Sequence, residues 1–390
     1  MKIIYQINSL YNPGGMERVV LNKATWLDAH GYEVCIVTTD QDGRPAFYDF
    51  PKSIRMVDLG INYSADKGKN ILAHIFSFLK KKKLHEKRLR EFLIKEKADI
   101  VDTLYPGESS FIPSIKDGSK KVIELHQSKF FHRQYANKGL KGLIDRWRER
   151  QDVRMVSRFD KFVVLTEEDR GYWGGLKNII TIPNAAQMEN EQSEDEKSCN
   201  TKKRVIAVGR LDYQKSFDRL IQVWALVCQR TKDWVLDIYG QGEWKDMLQQ
   251  MIEERGLAER CHLRGTTNNI WKEYAESDMI VMTSHYEGLP MVMIEAMACG
   301  LPAVSFDFKC GPKDVIEQGV NGYCVADGDI EGMAETIVKV IEDDELRQSL
   351  SKEARKVREK YSEESVMQKW QMLFDNLVSA SFAVQPQNNS

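Results

Sequence analysis

Short apolar runs rich in β-branched residues, each followed by a stretch of helical periodicity, constrain the fold of this chain more than any other feature. In the first half the runs are Ile3–Ile7, Val34–Thr38, Ile100–Leu104, Val122–Leu125, Phe162–Leu165 and Ile179–Ile182. In the second half they are Val205–Val208, Val235–Tyr239, Met279–Met282, Ala303–Phe306 and Tyr323–Val325. A strand that is apolar on both faces must be covered on both, and strands that alternate with helices join in parallel through crossovers. The pattern predicts an α/β protein with two doubly wound, Rossmann-like domains. At 390 residues the chain is long enough for two full cores.

The polar, acidic stretch Gln187–Lys203 has no apolar periodicity and reads as a linker, between a first domain over 1–186 and a second over 204–362. A helix over 363–380 carries Val366, Trp370, Leu373, Phe374 and Leu377 at helical spacing and is expected to pack back on the first domain. Ala383–Ser390 reads as a frayed tail. With 42% hydrophobic and 29% charged residues the chain reads as soluble and globular. Its cysteines show no paired spacing and no CxxC, which indicates neither a disulfide framework nor a zinc site and fits a reducing cytoplasm. The N-terminal run is strand-like rather than a signal sequence, and the apolar run Ile71–Leu79 is too short to span a bilayer.

The segment Glu287-Gly-Leu-Pro-Met-Val-Met-Ile-Glu295 carries the most chemistry. From Pro290 to Cys299 the chain is apolar on every face but for Glu295, so the helix is expected to be buried and Glu295 to need a polar partner. Gly288 gives a permissive turn, Pro290 suits the first helical position, and Gly300 followed by Pro302 ends the helix. The helix start at Pro290 and Met291 offers N–H donors to a phosphate, and Glu295 lies about 7.5 Å further along the axis at ~1.5 Å per residue. A nucleotide sugar, with phosphates and hydroxyls at that separation, satisfies both features. A buried structural Glu295 paired to Arg or Lys is the second reading of the carboxylate.

Other segments fall where parallel strands end, the edge at which open α/β sheets bind ligands. After Val205–Val208 come Arg210 and Lys215, two cations suited to holding a diphosphate and stabilising its charge as it leaves, work that otherwise calls for a metal. Gly14 and Gly15 follow the first strand and open the first helix, and Gly240 sits in a similar loop. Neither loop has the GxGxxG spacing with a later acidic residue, which argues against a dinucleotide cofactor. His126 ends the strand Val122–Leu125; a lone histidine is more often structural than catalytic, and its place at the carboxyl edge raises the case for a role in chemistry. The triplets Asp40-Gln-Asp42 and Asp327-Gly-Asp329 are read as turn and capping residues rather than metal ligands.

The formal net charge of −2 hides an asymmetry: residues 1–184 carry 32 Lys and Arg against 23 Asp and Glu, a net of +9, which leaves −11 for the remainder. Lys80–Lys83 with Lys87, Arg88 and Arg90 form one basic run, and Lys141, Arg146, Arg148, Arg150, Arg154 and Arg158 form another among Leu143, Ile144, Trp147 and Val153. Such segments suit an anionic membrane surface, and a solvated helix face accounts for the same residues. Aromatic interleaving is too sparse for nucleic-acid binding.

Taken in order, the Gly14-Gly15 loop, VGRLDYQKSFDRLI, the paired glutamates Glu287 and Glu295, and NGYCV resemble the retaining glycosyltransferases of family 4, the group 1 family. The resemblance covers nearly the whole chain. It implies a GT-B fold, two Rossmann-like domains facing across a cleft, with the nucleotide sugar on the second and the acceptor on the first. By motif, Arg210 and Lys215 would bind the diphosphate and Glu287 the donor hexose hydroxyls. Gly288, Leu289, Pro290 and Met291 would meet sugar and phosphates, and Glu295 the ribose. Gly265, Thr266 and Ile270 would lie by the base, Gly15 would approach the donor, and His126 would stand near the transferred sugar.

The resemblance implies no metal or other cofactor. The segment Phe308-Lys-Cys-Gly311-Pro312 is similar to relatives that use UDP-hexoses or UDP-N-acetylhexosamines on glycan or lipid-linked acceptors. A cytoplasmic enzyme, peripheral on the inner face of the plasma membrane, follows as an expectation. The chain departs at Asn184-Ala-Ala, where relatives often have Asn-Gly-Val. A nucleotide-sugar epimerase of the same build, or a non-catalytic nucleotide-sugar binder, remain the alternatives.

Overall fold

The computed structural model describes residues 1–66, 70–105, 107–129, 140–188 and 203–382. The chain divides into two compact units, one of Met1–Leu165, Arg170–Ile182 and Met367–Ser390, the other of Thr166–Asp169 and Pro183–Val366. The expected linker Gln187–Lys203 and the tail Ala383–Ser390 fall almost wholly outside the described residues, as do the side chains of Lys141, Leu143 and Ile144.

The first unit holds a seven-stranded parallel sheet in the order β3-β2-β1-β4-β5-β6-β7. Its strands are β1 Lys2–Ile7, β2 Glu33–Thr38, β3 Arg55–Asp58, β4 Ile100–Tyr105, β5 Lys120–Leu125, β6 Lys161–Val164 and β7 Ile179–Thr181. The second unit holds a six-stranded sheet in the order β10-β9-β8-β11-β12-β13. These strands are β8 Arg204–Val208, β9 Val235–Tyr239, β10 Cys261–Gly265, β11 Met279–Met282, β12 Ala303–Phe306 and β13 Gly322–Val325. Strand order reverses beside β1 in one sheet and beside β8 in the other, and such a switch point leaves a crevice at the carboxyl ends of the strands.

Every apolar run expected to be a strand is one. Two strands, β3 and β10, lack that signature because each lies at a sheet edge. Strand β3 is mostly exposed, and β10 alternates polar His262 and Arg264 with apolar residues, both of which turn to buried Asp237 on β9. Trp370 and Phe374 of the C-terminal helix Glu363–Phe382 are buried in the part of that helix assigned to the first unit.

Candidate active site

The loops after β8, β9 and β10 interlock through backbone. The Gly209 N–H donates to Tyr239 O at 2.9 Å, and the Gly240 N–H to Gly265 O at 2.7 Å. Gly240 has φ +144°, and a Cβ there would stand 1.8 Å from the Gly209 carbonyl oxygen, so only glycine fits. This explains the glycine at 240 by backbone approach, without a ligand.

Above these loops lies a cavity of about 420 Å³ lined by Arg210, Gly240, Thr266, Ile270 and Glu295 among others. Sequence reasoning placed all five at the donor site. It gave no sign of Tyr274, which lines the same cavity from the helix Ile270–Ala275. The Tyr274 ring is fully buried, and its hydroxyl has no hydrogen-bond partner among the described residues. A buried O–H without a partner is costly, and a ligand oxygen in the cavity would relieve it. Only the position of a tyrosine five residues before β11 could have hinted at this, and periodicity alone reads it as core.

Glu295 departs from expectation. It makes no ion pair among the described residues, and burial is the sole influence on its carboxyl, so the structural pairing to Arg or Lys is not found. The helix Met291–Ala298 is also not buried all round. Met293, Ile294, Ala296, Met297 and Ala298 face the core, whereas Val292 and Glu295 line the cavity. Burial alone pushes the Glu295 carboxyl up to about 7, near the point where half of it is protonated at neutral pH.

The start of this helix also differs in detail. Pro290 precedes the first helical residue rather than occupying it, and a Cβ at Gly311 would come 2.4 Å from the proline ring. The Met291 N–H already donates to Leu289 O at 2.9 Å, and the Met293 N–H to Pro290 O at 3.0 Å. The tight entry thus consumes part of the donor set that the sequence offered to a phosphate. Leu289 and Pro290 are buried and Gly288 half-buried.

Lys215 and Glu287 come together without lining the cavity. Lys215 Nζ donates to Glu287 Oε1 at 2.7 Å, Ser284 Oγ to the same oxygen at 2.8 Å, and Gln214 Nε2 to Oε2 at 3.1 Å. Arg210 joins through Gln214, whose Oε1 accepts from Nη2 at 3.0 Å. The Arg210 side chain is 72% exposed, with its remaining ion pair, to Asp212, at 3.3 Å. The lysine is held where its stem crosses Gly209, at which a Cβ would meet it at 2.8 Å. It is also held by a turn in which its N–H donates to Asp212 Oδ1 at 3.2 Å and Ser216 takes a left-handed φ of +50°. The result is a row of one exposed cation, one amide and one buried ion pair, able to meet an anion and hydroxyls at neighbouring points.

The first unit carries the remaining predicted residues. Gly14 caps the helix Gly15–Ala29, and a Cβ on it would come 2.1 Å from the Glu17 carboxylate, which folds back over its own helix start. Space beside Gly15 is open. His126 follows β5 with its side chain 5% exposed, and its Nε2 lies 3.1 Å from Glu124 Oε2. Asp329 caps the helix Ile330–Glu342 by accepting from the Gly332 N–H at 2.9 Å, as expected, and Asp40 accepts from the Ser64 N–H at 2.8 Å.

Two parallel doubly wound units, the second with a cavity at its switch point backed by cations and carboxylates, are the architecture of the GT-B glycosyltransferases. The chain is similar along 96% of its length to the crystal structure of TarM, which it covers to 98%, with a TM-score of 0.76 at 21% identity. The family described as Glycosyltransferase Family 4 matches residues 13–189, and the family Glycosyl transferases group 1 matches residues 188–357. The chain belongs to the group 1, family 4, glycosyltransferases. It is 29% identical over 380 residues to the amylovoran biosynthesis glycosyltransferase AmsD of Erwinia amylovora, covering 95% of this chain and 98% of AmsD. It is 32% identical over 293 residues to the poly(ribitol-phosphate) alpha-N-acetylglucosaminyltransferase of Staphylococcus aureus, covering 73% of this chain and 57% of that protein.

Proposed function

We propose that this glycosyltransferase acts in polysaccharide biosynthesis, moving a hexose or N-acetylhexosamine from a UDP-linked donor to a hydroxyl of a glycan or lipid-linked acceptor, with retention at the anomeric carbon. The observation that carries the donor assignment is the cavity in which an unpaired carboxylate, Glu295, and an unsatisfied hydroxyl, Tyr274, meet beside Arg210. A ribose offers the hydroxyls that these two groups lack, and a diphosphate suits the cations next to them. Thr266 and Ile270 stand by the base, and Gly240 keeps the loop backbone close.

In this reading Arg210 and Lys215 stabilise charge on the departing diphosphate, while the acceptor hydroxyl attacks from the same face through an ion-pair-like transition state. Glu287, held by Lys215, Gln214 and Ser284, accepts from hexose hydroxyls. Gly288, Leu289, Pro290 and Met291 shape the backbone around sugar and phosphate. The two cations do the work of a metal, so turnover is expected to be unchanged by EDTA.

The test is a panel of UDP-, GDP- and ADP-sugars incubated with the protein, scored by slow donor hydrolysis and by mass spectrometry of candidate glycan acceptors. An α-linked donor should give an α-linked product by NMR. Interconversion of the donor without transfer would replace this reading by epimerisation, and binding without turnover would leave a nucleotide-sugar binder.

A further inference from the structure

A second cavity, of about 400 Å³, lies wholly within the first unit, and the donor site does not use it. It opens where strands end at the switch point of that sheet: Asn8 and Ser9 follow β1, Asp40 follows β2 and Glu108 follows β4. Its size falls in the roughly 300–1,000 Å³ of small-molecule sites, and the carboxyl edge is where open α/β sheets bind them. Tyr11, Tyr63 and Phe78 bring rings to the lining, the last two tilted against each other with centroids 5.8 Å apart. Asn8, Ser9 and Ser64 add polar groups. Ser9 is 7% exposed, accepts from Asn12 Nδ2 at 3.4 Å and donates to none of the described residues, which leaves one buried hydroxyl proton for an occupant.

Among the described residues the lining holds two acids, Asp40 and Glu108, and no lysine or arginine. Asp40 accepts from the Ser64 N–H at 2.8 Å and from Thr39 Oγ1 at 2.7 Å, which fixes it in place with lone pairs to spare. Glu108 takes Ser110 Oγ at 2.6 Å and Lys82 Nζ at 3.0 Å on the same oxygen, Oε1, so Oε2 is free to accept. Lys82 and Arg44 touch lining residues, but both are already paired: Lys82 with Glu108, and Arg44, which stacks on the Tyr11 ring at 3.7 Å, with Asp42 at 3.6 Å. His85 lies behind Tyr63 with Nδ1 3.2 Å from its hydroxyl, and burial pushes it down to about 4, so it adds no positive charge at neutral pH. Asp40, Glu108 and His74 do not gather into a group that could hold a metal ion. Carboxylates accept from hydroxyls, and aromatic rings cover the apolar C–H faces of a pyranose, whereas the same two acids repel a phosphate. We propose that this cavity is a saccharide subsite for an uncharged sugar residue, from which phosphate-bearing sugars and polyols are excluded. That the sugar bound there belongs to the acceptor rests on the transfer reading; the binding itself does not.

The test is saturation-transfer NMR on the full chain with no nucleotide present, using the methyl glycosides of glucose, galactose and N-acetylglucosamine against their 6-phosphates and glycerol phosphate. At least one neutral glycoside should bind saturably, and the phosphates should bind at least about tenfold more weakly. Phe78 is 36% exposed, so Phe78→Ala should keep the melting temperature near wild type while weakening the glycoside about three- to tenfold through loss of a ring. Asp40→Asn should weaken it by a similar factor, and Glu108→Gln should narrow the gap between neutral and phosphorylated probes. Should Asp40→Asn fail to fold, Phe78→Ala and Glu108→Gln carry the test. Phosphates that bind as well as the neutral glycosides, no saturable binding of any glycoside, or glycoside affinity unmoved in Phe78→Ala overturns the inference. Failure of the transfer reading shows separately: a chain that holds the glycoside through Phe78 yet transfers from no donor keeps the subsite and loses the enzyme.

Discussion

At the scale of single residues, the proposed function rests on charged groups gathered where the strands of the second unit end. Lys215→Ala should lower kcat by ~10²–10³, the usual loss for one electrostatic donor, with the melting temperature recorded alongside because Glu287 loses its cation. Glu295 gives a prediction with a definite sign. Its carboxyl is raised from 4.5 to about 7, so its contribution to stability is fully present below about pH 4.5 and is lost as pH rises through about 7. On the proposed ribose contact binding runs the other way, since hydroxyls donate to the ionised form. UDP affinity, measured by titration from pH 6 to 8, should therefore rise, and Glu295→Gln should flatten the profile. Flat wild-type affinity would remove Glu295 from the ribose site. The charged members of the site, Arg210, Lys215, Glu287 and Glu295, were legible in the sequence because ionisable residues beside strand ends or in apolar helices stand out. Tyr274, Gln214 and Ser284 were not, because their roles arise only when separate loops meet.

At the scale of elements, the loops after β8, β9 and β10 are set by backbone approach rather than by side-chain choice. Gly240→Ala should cost more than about 1 kcal/mol and abolish UDP binding, since its Cβ and the Gly209 carbonyl cannot both be accommodated. A chemical-denaturation curve and a UDP titration check the two halves of that expectation. Central strands were readable because burial on both faces imposes continuous apolar runs. The edge strands β3 and β10 escaped, since an edge is free to be polar. The entry to the helix Met291–Ala298 escaped too, because the packing of Pro290 against Gly311 joins segments far apart in sequence.

At the scale of the whole molecule, the uneven distribution of charge becomes partly structural. Within the first basic run, Lys81 and Lys82 donate to Asn62 O and Ser110 Oγ, and Arg88 to Leu59 O, so these are tied to the fold. Lys80 and Lys83 remain exposed beside Ile75, Phe76 and Leu79, which are 51%, 75% and 52% exposed. No described helix is long and apolar enough to cross a membrane. From its exposed apolar residues beside lysines, we propose that the helix Ile71–Glu96 rests on an anionic lipid surface. Full-length protein should co-sediment with vesicles rich in phosphatidylglycerol but not with phosphatidylcholine alone, and Phe76→Asp with Lys83→Glu should abolish it. Equal binding to both lipids would rule out the electrostatic part. The two-unit organisation was visible in the alternation of strands and helices, whereas the assignment of Thr166–Asp169 to the second unit left no trace in the sequence.

A Glu295 carboxyl pushed up to about 7 has a thermodynamic corollary. Each nucleotide that seats at neutral pH, by requiring the carboxylate, should expel about half a proton into the medium. The heat of complex formation would then vary with the ionisation enthalpy of the buffer, a signal that a glutamate already held as an anion could not produce.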